Sequence, residues 1–352
     1  MNILVDIGHP AHVHLMKHTI KELQNHGHTV VVTTKKQPII TRLLDHYGIK
    51  YIVLGNKGNS LLSKLLRQLA FNVKLWYISV KNHIDIATGT SMTIPIVSKF
   101  CKMVSINMDD DDDEVQPIAV NYAHPFSDVR LTPTALQGHR KSRKAVFYNG
   151  THELAYLHPN RFSPDPHVLQ HANLQNGERF FILRLVAFNA YHDVGQSGIS
   201  LVNQRKLIEL LKPYGRILIT SEKPLSNEFE KYRLPVPPEE IHSLIAYSSM
   251  FVGDSQTMTS EAAVLGVPAL KCNTFAGRLS VPNMLEDKYG LCYAYTPDHF
   301  DEMLQHVKQL LAREPDELKA EWQAKRERML NEMIDPTEFF VNYIEHFVKT
   351  NK

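Results

Sequence analysis

Two doubly wound α/β domains, each built on a parallel sheet and facing the other across a cleft, are the fold that this 352-residue sequence predicts. Three observations carry the expectation. Short β-branched apolar runs alternate with helix-periodic segments, the pattern of parallel strands joined by crossover helices. The alternation halts at a proline-rich stretch, HPNRFSPDP (158–166), and then resumes. The segment Phe251 to Cys272, FVGDSQTMTSEAAVLGVPALKC, condenses the unit into strand end, small polar turn, helix and next strand. The expected division is residues 1–160, residues 161–335, and a last helix over 336–352 that crosses back onto the first domain.

Asn2 to Ile7 is apolar and β-branched, as a strand buried on both faces requires. The loop GHPAH follows, then a helix from Val13 to His26 that stops at Gly27. His28 to Thr34 reads as a strand, Ile39 to Tyr47 as a helix closed by Gly48, and Ile49 to Leu54 as a strand. Leu61 to Val80 is a long amphipathic helix with Leu62, Leu65, Leu66, Leu69, Val73, Trp76 and Val80 on one face. Lys64, Arg67, Lys74 and Lys81 lie on the other. Two readings fit: the apolar face packs on its own sheet, or the helix rests on an anionic membrane surface. Strands follow at Ile84–Ala87, Met103–Met108, Val129–Leu131 and Ala145–Tyr148. The run DDDDDE, Asp109 to Glu114, is expected as a solvated loop, with a divalent-cation site as the sharper alternative. The second half places strands at Phe180–Val186 and Arg216–Thr220. Its helices are read at Ser200–Leu211, Glu239–Tyr247, Asp298–Leu311 and Pro315–Met333, before the last at Pro336–Val348.

Composition narrows the class. Lysine and arginine (39) nearly balance aspartate and glutamate (37), and no basic run forms a nucleic-acid arm, so nucleic acid is not an expected partner. Three scattered cysteines, Cys101, Cys272 and Cys292, suit free thiols in a reducing cytoplasm. The first residues enter a strand at once, and no stretch of about 18 apolar residues spans a membrane. A cytoplasmic protein is expected, with contact at the inner membrane face as the alternative.

Within the segment from Phe251, the first N–H groups of the helix point into the turn, where the dipole is positive. Gly253 and the hydroxyls of Ser255, Thr257 and Thr259 stand around that end, where a phosphate fits. The plainer reading is that Ser255 or Thr257 caps the helix. Glu261 falls one position past the capping-box spacing from Thr257, which leaves it available to ribose hydroxyls. Gly266 occupies the left-handed helix-ending position ahead of Pro268.

GDSQTMTSEAAVLGVPAL resembles the nucleotide-sugar motif of GT-B-type proteins. These include the non-hydrolysing UDP-N-acetylglucosamine 2-epimerases and the lipid-linked N-acetylglucosaminyltransferase of peptidoglycan synthesis. VDIGHPAHVHLMKHTIKELQNHGHTVVVTT and LRLVAFNAYHDVGQSG resemble, more closely, a prokaryotic family of unknown function with a predicted GT-B fold. The matches spread over most of the chain. The resemblance implies a GT-B-like fold, a nucleotide-sugar site in the second domain and no metal held by an acidic motif. The transferase also has a histidine in its first strand–helix loop, but that loop is glycine-rich, and GHPAHVH holds only Gly8.

The first loop offers His12, then His9 and His14, as a base for a sugar hydroxyl, with Asp6 placed to orient one of them. The bland reading of each is a loop or capping histidine. His14 and His18 have the spacing of a zinc pair but no third ligand, so no metal is expected. Arg184, alone in the apolar run FFILRLV, needs an anion: a structural carboxylate or a nucleotide phosphate. Ser221 and Glu222 follow the next strand, His192 and Asp193 lie in the loop after Arg184, and Arg278 lies in the loop past Cys272. GxGxxG, GxxxxGK[ST] and GxSxG are absent, which sets aside dinucleotide oxidoreductases, P-loop NTPases and α/β-hydrolases.

The expected activity is transfer of a sugar from a nucleotide donor, UDP-linked, to a glycan or lipid-linked acceptor in cell-envelope synthesis. Arg184, Ser221, Gly253, Ser255, Thr257, Thr259 and Glu261 would hold the donor, with no further cofactor. The alternatives are a UDP-N-acetylglucosamine 2-epimerase-like enzyme and a non-catalytic nucleotide-sugar-binding protein.

Overall fold

A computed structural model describes residues 1–56, 61–140, 144–186, 197–221 and 224–351. It divides into two units, Met1–Arg161 with Ile334–Lys352, and Phe162–Met333.

The first unit carries β1 (Asn2–Ile7), β2 (Thr29–Lys36), β3 (Ile52–Asn56), β4 (Ile86–Gly89), β5 (Val104–Met108), β6 (Val129–Pro133) and β7 (Ala145–Tyr148). They form one sheet in the order β3-β2-β1-β4-β5-β6-β7. Every pairing is parallel. Its helices are α1 (Pro10–Asn25), α2 (Pro38–His46), α3 (Leu61–Lys81), α4 (Thr93–Ser98), α5 (Pro117–Tyr122) and α6 (Leu154–Leu157). Ile3, Leu4, Val5 and Ile7 are fully buried, which is why β1 reads as an unbroken apolar run.

The second unit carries α7 (His167–His171), β8 (Phe180–Leu185), α8 (Leu201–Leu211), β9 (Arg216–Ser221), α9 (Ile241–Tyr247) and β10 (Met250–Gly253). Then come α10 (Gln256–Val264), β11 (Ala269–Cys272), α11 (Ser280–Asp287), β12 (Cys292–Tyr295), α12 (Phe300–Leu311) and α13 (Pro315–Glu332). The sheet order is β12-β11-β10-β8-β9, again all parallel. β12, with the run CYAY, is absent from the sequence reading. The last helix, α14 (Pro336–Asn351), belongs to the first unit, where Glu345 Oε1 lies 2.8 Å from His26 Nδ1 and 2.9 Å from His28 Nε2.

α3 corrects the packing expectation. Its buried apolar residues, among the described side chains, are Phe71, Leu75 and Ile78, which join Leu54, Ile94 and Val97 in the core. The stripe that the sequence assigns to the sheet is exposed: Leu66 by 57% and Val73 by 64%, with Leu69, Trp76 and Val80 alongside, and Tyr77 next to it is exposed too. Leu62 and Leu65 lie outside the described side chains. Among the described residues no helix is long and apolar enough to cross a membrane.

Candidate functional site

Parallel strands put all their carboxyl ends on one edge, and a crevice opens there wherever the strand order reverses. In the second unit the reversal lies between β8 and β10, and the nucleotide-site candidates gather around it. Gly253 ends β10 opposite Arg184 of β8. A Cβ at Gly253 would stand 2.6 Å from the Arg184 carbonyl oxygen, so the strands approach too closely for any other residue. The Arg184 guanidinium donates to Thr220 Oγ1 at 3.1 Å, and Ser221 is half-buried at the end of β9.

Ser255 is the cap of α10, its hydroxyl accepting from the Met258 N–H at 3.4 Å. Thr259 is buried, and its hydroxyl donates to the Ser255 carbonyl at 2.7 Å. Thr257 is half-buried in the first turn. Glu261 is buried, and Oε1 lies 3.0 Å from Nε2 of buried His242 on α9. Gly266 takes φ 72°, as its helix-ending position requires.

Three neighbours escaped the sequence reading. Asp254, buried directly after β10, accepts from the N–H groups of Val186 at 2.7 Å and Ile199 at 3.4 Å. Burial pushes its carboxyl up to about 7. Buried Lys271 donates to Gln256 Oε1, and burial lowers its ammonium to about 8. Asn273 donates to the Asp254 carbonyl at 2.9 Å. Asp254 lies inside GDSQT, and its place at a strand end was the available signal. Lys271 reads as an ordinary strand residue. His192, Asp193 and Glu222 lie outside the described residues; Arg278 sits over the Phe275 ring.

In the first unit the order reverses between β1 and β4. Asp6 is buried near the end of β1 and accepts from Thr33 Oγ1 at 2.7 Å. Burial raises its carboxyl, while the hydroxyls of Ser91 and Thr33 oppose the rise. His9 caps α1, its Nδ1 accepting from the Ala11 N–H at 3.2 Å. His12 is half-buried, with Nδ1 2.6 Å from Thr90 Oγ1 beyond β4. His14 is not brought to this edge. It is buried 3.2 Å from the Tyr47 hydroxyl and stacked near the Tyr156 ring.

The acidic run meets the solvated-loop expectation only at Asp111 and Glu114, which are exposed. Asp109 and Asp112 are buried. Asp109 Oδ2 lies 2.5 Å from Arg140, 3.5 Å from Arg130 and 3.3 Å from His124 Nε2. Arg140 also reaches Asp113 at 3.0 Å and the Asp111 carbonyl at 2.9 Å. A charge left unpaired in such a place would be expensive, so two arginines fold over the run. Among the described residues, no His, Cys, Asp and Glu side chains are grouped to hold a metal ion. Asp110 turns the other way, its Oδ1 3.0 Å from His152 Nδ1. Burial alone would raise Asp110, but His152 outweighs it and holds the carboxyl below the ordinary carboxylate value. Reciprocally, burial alone would lower His152, and Asp110 carries it above the ordinary histidine value. Burial and the Asp110 charge push Glu153 up to about 7. His152 and Glu153 lie in the loop that follows the expected strand Ala145–Tyr148, so the strand-end rule could have found them.

The chain is similar in fold to several solved structures. A Staphylococcus aureus MnaA structure with UDP superposes with a TM-score of 0.70 at 13% identity, covering 99% of this chain and 97% of that one. The Neisseria meningitidis UDP-GlcNAc 2-epimerase bound to UDP-GlcNAc gives 0.64 at 15% identity, covering 98% and 100%. The glycotransferase of kitacinnamycin gives 0.62 at 11%, covering 98% of each. The architecture is therefore GT-B-like, two α/β units with parallel sheets. In sequence, the uncharacterised protein MJ0665 of Methanocaldococcus jannaschii is 21% identical over 294 residues, 77% of this chain and 82% of that protein. The model of the family described as protein of unknown function DUF354 matches residues 1–346, and the chain belongs to that family.

Proposed function

We propose that this protein is a sugar-nucleotide enzyme, a glycosyltransferase that holds a UDP-linked donor at the carboxyl edge of its second unit. The observation that carries the reading is the arrangement at the β8–β10 reversal. A guanidinium (Arg184), a strand end that admits no Cβ (Gly253) and the first turn of α10 meet there. That set suits a diphosphate: unpaired N–H groups and a positive helix end for the oxygens, and a planar cation for the remaining charge. The likeness to proteins solved with UDP and UDP-GlcNAc supports the choice of nucleotide. Ser221, Ser255 and Thr257 line the donor end, while Thr259 and Glu261 brace α10. Proton handling belongs to the first-unit edge, where Asp6, His9 and His12 lie with the Asp110 group.

Thermal denaturation against UDP, GDP, CMP, NAD and UDP-sugars tests this. Ligand at a hundred times its Kd stabilises the fold by roughly 2.7 kcal/mol. Arg184→Ala is expected to weaken UDP by about tenfold to a hundredfold, the worth of one charged hydrogen bond at about 1.5–3 kcal/mol. A response to NAD instead of UDP, or none to any nucleotide, overturns the reading.

Epimerisation is the second reading, favoured by the two proton-handling groups on the first-unit edge, His12 beside Thr90 and His152 beside Asp110. An epimerase takes a proton from one face of the sugar carbon and returns one to the other. Solvent deuterium entering UDP-N-acetylglucosamine at C2 without acceptor distinguishes it from transfer.

For the acceptor we propose a lipid-linked glycan. The exposed stripe on α3 is flanked by Arg67, Lys74 and Lys81, and Leu61–Lys81 holds no acidic residue, which suits an anionic membrane. Phe100, 74% exposed, extends the stripe beside Trp76, whose indole N–H donates to the Phe100 carbonyl. The protein is expected to float with phosphatidylglycerol vesicles more than with phosphatidylcholine ones, and Leu69→Glu with Val73→Glu to abolish the difference. A solution dimer lost in the same variant, with no vesicle binding, would assign the stripe to a second copy.

A further inference from the structure

The first unit buries a set of polar groups that its own fold does not satisfy. Tyr148 is 2% exposed at the end of β7; His152 (8%) and Glu153 (6%) follow in the next turn. The Tyr148 hydroxyl, His152 Nε2 and Glu153 Oε2 are buried with no hydrogen-bond partner among the described residues. Buried polar atoms are almost always paired, and each one that is not weakens the fold. With Thr151 Oγ1 there are four such atoms within one six-residue segment, around one carboxylate, and they need an explanation beyond chance.

Asp110 is that carboxylate. It lies 3.0 Å from His152 Nδ1, and its charge acts on Tyr148 and Glu153 as well. Asp110 thus fixes the tautomer and tilt of His152 and leaves Nε2 as the working nitrogen, the logic of an oriented base. His12 differs, since its ring sits against the Thr90 hydroxyl at 2.6 Å.

We propose that Tyr148, His152 and Glu153 bind the hydroxyl groups of a sugar, and that His152 Nε2 is the atom that takes the acceptor's proton. The inference rests on the sugar-nucleotide reading for its ligand class. A hydroxyl both donates and accepts, so a polyhydroxylated ring can serve an imidazole nitrogen, a carboxyl oxygen and a phenol together; an apolar ligand serves none of them. The O–H bond of the bound hydroxyl breaks as its proton passes to His152 Nε2, and the electron pair stays on the oxygen. Asp110 stabilises the imidazolium that results. Its pull above the ordinary histidine value makes His152 the stronger base for this step.

The test follows the His152 imidazole signal by NMR in the full chain, assigned with His152→Gln, as pH is varied. The probes are UDP, UDP-N-acetylglucosamine and free N-acetylglucosamine. The expected result is that both sugar-bearing probes shift the His152 titration while UDP alone does not. Glu153→Gln should weaken the shift. His152→Gln should lower turnover by at least about a hundredfold, the usual worth of a general base, with UDP binding unchanged. A His152 titration that neither sugar probe moves overturns the proposal, as does a His152→Gln enzyme with wild-type turnover. The two readings fail separately. If UDP does not bind, the donor assignment falls and free N-acetylglucosamine still decides the fate of this cluster. If UDP binds and no sugar moves His152, the donor site stands and the cluster is structural.

Discussion

Arg140→Ala is expected to cost about 3–5 kcal/mol of folding stability, the usual penalty for removing one partner of a buried ion pair. Arg140 is 8% exposed and its guanidinium spans Asp109 Oδ2 at 2.5 Å, Asp113 Oδ1 at 3.0 Å and the carbonyls of Asp109 and Asp111 at 3.2 and 2.9 Å. Without it, two carboxylates and two carbonyls lose their common donor. Arg130 lies 3.5 Å from Asp109 and does not reach the others at hydrogen-bond distance. Arg140→Lys should recover only part of the loss, because an ammonium cannot reproduce the planar fork. Urea denaturation at neutral pH measures both. A loss for Arg140→Ala within about 1 kcal/mol, the range of exposed pairs, would mean that solvent already screens the run.

Glu153→Gln is expected to be more stable than the wild type at alkaline pH and to lose that advantage in acid. Burial, with Asp110 adding to it, moves the Glu153 carboxyl from its ordinary 4.5 to about 7. The folded state therefore binds this proton more tightly than the unfolded chain. The stability it provides is present in full below the unfolded value and is lost as pH rises through the folded one. Glutamine imitates the protonated acid at every pH. Relative to wild type, the variant should gain about 3 kcal/mol between about pH 4 and about pH 8, at 1.36 kcal/mol for each unit of difference. Taking the difference cancels His18 and His124, which burial lowers to about 4 and whose contributions run the opposite way. Urea denaturation at the two pH values decides it: a gap that does not change with pH would show that Glu153 is not held protonated by its surroundings.

Local pattern was legible wherever the physics is local. β1 is an apolar run because the sheet buries both its faces. Ser255 caps α10, and Gly266 ends it, since each needs only its chain neighbours. α3 shows where local pattern misleads. Its longest apolar stripe runs through Leu66, Leu69, Val73 and Val80, and periodicity alone points that stripe at the sheet. Phe71, Leu75 and Ile78 make a second, shorter apolar face with the same spacing, and that one packs. A helix with two apolar faces does not announce which one the sheet takes.

The alternation of strands and helices, the repeated α/β unit, the polar turn before α10 and Arg184 in its apolar strand can all be read from the order of residues. Each of these follows from burial periodicity or from the conformational preferences of residues a few positions apart. Which charges meet is set by the folded chain: Arg140 with Asp109 and Asp113, His152 with Asp110, His242 with Glu261. Those partners lie on different loops and helices, which the crossovers between strands bring together. An acidic run therefore looks the same whether water or two arginines surround it. Its pKa values, and the work its side chains can do, depend on that difference.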